Sequence, residues 1–203
     1  MGLHLGEQKR LLVPFSLLLG AAVFGVFDDL GQAGFRLDRA AIADGEWYRL
    51  LTGHFVHLSV EHLLLNAAGL ALVWFLVGGA LSLAGWVVAA LLSLVAVDIG
   101  LLAGVPELSW YVGLSGILHG LLAAGLVASW HLKRPELRAL AAILVIKLGW
   151  ESFFGPVPGS GSVAGGDVVT ESHLFGAIGG AVAGLIYRLY NAPPEEQQRA
   201  SSE

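Results

Sequence analysis

The sequence predicts an all-α membrane protein with six transmembrane helices, on three observations. Only 13% of the 203 residues are charged while 56% are hydrophobic, against roughly 25% charged in a soluble domain. The apolar residues form long continuous runs rather than alternating, which selects helices over a closed barrel. The basic residues cluster in the connections that a six-span arrangement puts on one side. The remaining composition works by exclusion. With no cysteine, disulfides and thiolate metal sites are ruled out. A net charge of -5 with 11 Lys+Arg leaves no basic surface for nucleic acid.

A helix needs about 20 mostly apolar residues to cross the hydrocarbon core. The predicted spans run about 11–27, 60–78, 82–103, 115–131, 137–153 and 172–190. The first follows Lys9 and Arg10 as a signal peptide would. It lacks a small-x-small cleavage site after Phe27, so it is expected to be retained. Between the first two spans, 28–58 carries Phe35, Trp47 and Tyr48 among acids and is expected to lie in the interface. The stretch 154–171, rich in Gly, Pro and Ser, is expected to be a mobile outer loop. Residues 1–191 thus make one membrane domain, and 192–203 a polar cytoplasmic tail. Lys9, Arg10, Lys133, Arg134, Arg138, Arg188 and Arg199 fall together if both termini are cytoplasmic. Lys147 lies within the fifth helix, placed to pair with Glu151 one turn on or to snorkel outward. Trp74, Trp86, Trp110, Trp130 and Trp150 lie near helix ends, as an interfacial belt requires.

Polar groups inside a bilayer point to function by default. The second helix begins outside at Ser59, a suitable N-cap, with His62 and Asn66 on one face an α-turn apart. Ser115 opens the fourth helix and His173 the sixth, both from the same outer side. Glycines at every fourth position, Gly116 and Gly120 in the fourth helix and Gly176, Gly180 and Gly184 in the sixth, allow close backbone approach. That contact would set Ser115 beside His173. A serine needs a neighbouring base, and imidazole suits the task. Asn66, His62 and the Ser115 amide supply donors for an oxyanion. No acid stands out to orient the imidazole, so a Ser-His dyad is expected.

These residues resemble the rhomboid family of intramembrane serine proteases. The match comprises Gly113-Leu114-Ser115-Gly116, His173 on a Gly-striped sixth helix, His57, His62 and Asn66 in an H-x4-H-x3-N pattern, and Glu46-Trp47-Tyr48-Arg49, where Tyr48 replaces the usual Trp. The resemblance implies a six-helix rhomboid-like bundle with Ser115 as nucleophile, His173 as general base, and His62 and Asn66 at the oxyanion hole. Most rhomboids carry a tyrosine four residues after the serine; here it is His119. The string from Gly113 to Gly120 is similar to the G-x-S-G-x-x-H-G pattern of the rhombosortase branch. That branch implies a bacterial inner-membrane enzyme with its active site toward the periplasm. Its substrates are secreted proteins ending in Gly-Gly, a hydrophobic helix and a basic end. His119 is expected to orient or pack against His173, with the role of base as its rival reading, and His57 to support the outer loop. His54 is expected to be interfacial, Asp98 a buried acceptor.

Two other readings compete. Seven histidines invite zinc. However, His57-Leu58-Ser59-Val60-Glu61-His62 fits neither H-E-x-x-H nor H-x-x-E-H, and no carboxylate is clearly placed among the histidines, so neither metal nor cofactor is expected. A non-catalytic rhomboid-like helix binder is the other, although such proteins typically lose the serine or histidine that this chain keeps.

Overall fold

A computed structural model describes residues 9–24 and 29–191. The end of the first predicted span and the predicted tail, 192–203, lie outside the described residues. The described chain is mostly helical, with ten α-helices and one two-stranded ribbon. In chain order these are α1 (Leu12–Phe24), α2 (Asp29–Phe35), β1 (Leu37–Asp38), α3 (Arg39–Ala43), α4 (Arg49–Thr52), α5 (Val60–Val77), α6 (Leu83–Gly104), β2 (Trp110–Tyr111), α7 (Ser115–Ala128), α8 (Pro135–Phe154), α9 (Ser160–Ala164) and α10 (Glu171–Asn191). By length and composition, α5 and α6 are each able to cross a membrane. The fourth predicted segment is shorter as a helix than expected, ending at Ala128 before a 3-10 turn over Trp130–Leu132.

Helix ends follow local chemistry. The Ser59 hydroxyl accepts from the His62 amide at 3.1 Å and the Ser82 hydroxyl from the Gly85 amide at 3.2 Å, capping α5 and α6. Pro135 opens α8, where a missing N–H costs nothing. α10 runs through the middle of the bundle against α7 and α6. Side chains at Gly176 or Gly180 would overlap the carbonyls of Gly116 and Gly120. The glycine stripes read in the sequence thus do face each other, and the two backbones touch. The core around this seam includes Leu70, Trp86, Ile117, Leu118, Leu121 and Ala124.

One expectation changes here and another gains detail. Trp86 is fully buried, with its indole N–H donating to the Gly78 carbonyl at 3.1 Å, so it is a core residue and not part of an interfacial belt. The stretch 154–171, expected to be a mobile outer loop, contains the short helix α9, and its Val157, Ser160, Ala164 and Val168 line a cavity. The outer segment is also more built than its composition suggested. Leu37 pairs with Tyr111 and Asp38 with Trp110 in an antiparallel ribbon. The Arg39 guanidinium donates to the carbonyls of Leu101, Leu102, Val105 and Leu108, satisfying acceptors at the end of α6. Arg49 donates to Glu46 at 2.7 Å and to the Ala33 and Arg36 carbonyls. The Tyr48 hydroxyl donates to Glu46 at 2.7 Å, so the tyrosine at this position is tied to the same acid.

Candidate active site

The site is built where α5, α7 and α10 begin. Ser115 is the first residue of α7 and follows Gly113, whose φ of +123° suits only glycine. A Cβ at Gly113 would also lie 3.1 Å from the His62 ring. Two bonds pin this approach: the Gly113 amide donates to the Gly53 carbonyl at 3.0 Å, and the Tyr111 hydroxyl donates to the Gly113 carbonyl at 2.6 Å. On the facing helix the His173 amide donates to the Thr170 carbonyl at 3.0 Å, fixing the first turn of α10.

With both helix starts held and the glycine seam closed, Ser115 Oγ lies 2.9 Å from His173 Nε2. His173 is buried, at 5% exposure. The His119 ring stacks on the His173 ring, with centroids 4.1 Å apart and planes 19° from parallel. Its Nδ1–H donates to the Ser115 carbonyl at 2.8 Å. His119 therefore touches the serine backbone, while the hydroxyl meets His173.

His62 and Asn66 line the same cavity as Ser115, His119 and His173, a space of about 320 Å³ otherwise walled mainly by apolar side chains. The Asn66 side-chain nitrogen is buried with no hydrogen-bond partner among the described residues. His57 stands behind His62, with ring centroids 4.9 Å apart, and its Nδ1–H donates to the Phe55 carbonyl at 2.9 Å. Burial first, and the neighbouring His62 second, push the His57 pKa down to about 4. Gly116 lies in the α7–α10 seam, apart from the cavity lining. His54, expected at the interface, is instead fully buried, with Nε2 3.1 Å from the Asp98 carboxylate.

The largest departure from the sequence reading is an acid. Glu151 Oε2 lies 2.9 Å from His173 Nδ1 and 2.7 Å from Lys147 Nζ. The imidazole thus has a carboxylate on the side away from the serine. The only signal in the sequence was a charged i, i+4 pair inside an apolar helix, which is also what a lipid-facing ion pair looks like.

Glu151 also supplies the carboxylate that a metal reading lacked: His119, Glu151 and His173 bring ligand atoms within 4.8 Å of one another. Both ring nitrogens of His173 are already engaged, Nδ1 with Glu151 at 2.9 Å and Nε2 with Ser115 at 2.9 Å. The Lys147 ammonium already occupies the cationic position against the carboxylate. The arrangement suits proton transfer better than metal ligation.

A helical bundle with apolar outer faces, and a serine hydrogen-bonded to a histidine in its interior, defines the class. The family model for the rhomboid domain matches residues 44–190. The chain belongs to the rhomboid family, whose members are membrane proteins and generally intramembrane serine proteases that act on transmembrane substrates. No curated protein matches the chain.

Proposed function

We propose that this protein is an intramembrane serine endopeptidase with Ser115 as nucleophile and His173 as general base. The observation that carries the reading is the 2.9 Å contact between Ser115 Oγ and His173 Nε2 at the wall of an apolar cavity. In the first step Oγ bonds to the scissile carbonyl carbon while Nε2 takes the hydroxyl proton. The resulting oxyanion is held by Asn66, His62 and the Ser115 amide. The unpartnered Asn66 nitrogen supports that assignment, since a buried donor without an acceptor is rare unless a ligand supplies one. Collapse breaks the C–N bond, Nε2 returns the proton to the leaving amine, and water or an amine acceptor then releases the acyl group. His119 packs against His173, and Gly113 and His57 shape the wall around His62.

In this reading the chain spans the bacterial inner membrane six times, with both termini cytoplasmic and the site toward the periplasm. The distribution of basic residues supports the orientation. At 1.5 Å per residue, α7 is about 21 Å long and α6 about 33 Å; in this reading the serine at the start of the shorter helix lies below the outer rim. The substrates are single-span membrane proteins, and the Gly113–Gly120 string favours the rhombosortase type, with tails of Gly-Gly, a hydrophobic helix and a basic end. A rhomboid protease with other single-span substrates is the second reading, favoured by a match to the domain as a whole.

The test is co-expression with a reporter carrying a Gly-Gly, hydrophobic, basic tail, followed by mass spectrometry of the released C-terminus. Cleavage near Gly-Gly that disappears in Ser115→Ala is expected. Cleavage only of reporters lacking Gly-Gly would move the assignment to the second reading, and no cleavage of any single-span reporter would favour a helix-binding protein.

A further inference from the structure

We infer that Glu151 is a positioning residue for His173, and that Lys147 makes that carboxylate tolerable in an apolar surrounding and is harmful without it. The inference rests on the Ser115–His173 reading above and replaces the expected two-residue arrangement with a carboxylate-backed one.

A carboxylate only accepts hydrogen bonds, so the contact with Glu151 requires the hydrogen of neutral His173 to be on Nδ1. Nε2 then presents a lone pair to the Ser115 hydroxyl, which is the form a base must have. When Nε2 takes the serine proton the ring becomes a cation between Ser115 and Glu151, and the carboxylate stabilises it. The Nδ1 proton stays on the imidazole throughout.

The side chain of Glu151 is only 4% exposed, and an isolated buried carboxylate is costly. Lys147 offsets that cost from one turn away, with its own side chain 34% exposed. Its Nζ is also 3.5 Å from His173 Nδ1. Without the carboxylate, this ammonium is the nearest donor to Nδ1, and a donor there would drive the imidazole hydrogen onto Nε2. The acid therefore both orients the base and intercepts the lysine.

The experiment measures kcat and KM for a single-span reporter in proteoliposomes, with wild type, Ser115→Ala, Glu151→Gln, Lys147→Met and the Lys147→Met/Glu151→Gln pair. Thermal unfolding in detergent is recorded for each. Glu151→Gln is expected to lower kcat about 10- to 100-fold, below the roughly 100- to 10,000-fold that the general base itself contributes, with KM within about twofold. The double variant is expected to recover at least about threefold in kcat over Glu151→Gln at an unchanged unfolding temperature, whereas relief of a merely structural unpaired charge would raise the unfolding temperature along with the rate. Glu151→Gln with kcat near wild type, or a double variant no faster than Glu151→Gln, would overturn the inference. Full activity in Ser115→Ala would instead overturn the serine reading beneath it.

Discussion

The two helices that carry the hydroxyl and the imidazole differ sharply from the helix that carries the acid. α7 and α10 meet backbone to backbone along glycines, and Ala124, Ala177 and Ala183 are buried around them. α8 holds Glu151 and Lys147 but leaves Ile143, Val145, Ile146, Phe153 and Phe154 exposed to the surroundings. Seams packed at backbone distance tolerate almost no displacement, whereas a helix with one side against the bundle can shift with far less loss of contact. The proposed nucleophile and base are thus on the rigid half, and the acid proposed to position the base is on the half with fewer constraints. A movement of α8 that admits a substrate would also carry Glu151 away from His173.

The largest expected effect comes from the proposed nucleophile and base. Ser115→Ala and His173→Ala should each lower cleavage at least about 1,000-fold, as removal of a nucleophile or its base does elsewhere, with unfolding temperatures near wild type. Next is the seam: Gly180→Val places a side chain into the Gly120 carbonyl and should destabilise the bundle by about 3 kcal/mol, at the upper end for overpacking. Unfolding in detergent measures it. A smaller loss, about 10-fold in rate, is expected for His119→Ala, which removes the ring stacked on His173 but not the Ser115–His173 bond. Phe153→Ala on the exposed side of α8 should change stability by less than about 0.5 kcal/mol in detergent.

A pH experiment examines the wall behind His62. The folded pKa of His57 is about 4 against an ordinary 6.5, so as pH falls from 6.5 toward 4 the unfolded chain gains a proton that the folded chain refuses. Stability should therefore fall with pH across that window, and His57→Gln should flatten this part of the dependence. An unchanged slope in His57→Gln would place the pH sensitivity elsewhere.

Much of the site was legible because it is periodic. The glycines of α7 and α10 recur at every fourth residue, and Ser115 and His173 sit at the starts of those stripes, so one contact brought both together. His62 and Asn66 share a helical face for the same reason. Glu151 was not legible as an orienting acid, because periodicity relates residues on one helix and says little about which neighbour that helix docks against. The short helix within 154–171 was not legible for a different reason: the glycines and prolines there describe local backbone preferences, while α9 and the cavity wall depend on contacts with α5. Trp86 shows a related limit, since position near a helix end does not distinguish the interface from the core.

The most direct test is labelling by a serine-directed fluorophosphonate in native membranes, comparing wild type with Ser115→Ala, His173→Ala and His119→Ala. Labelling of wild type and, more weakly, of His119→Ala, with none in the other two, is the predicted result. Labelling that survives in His173→Ala and vanishes in His119→Ala would contradict the pairing of Ser115 with His173.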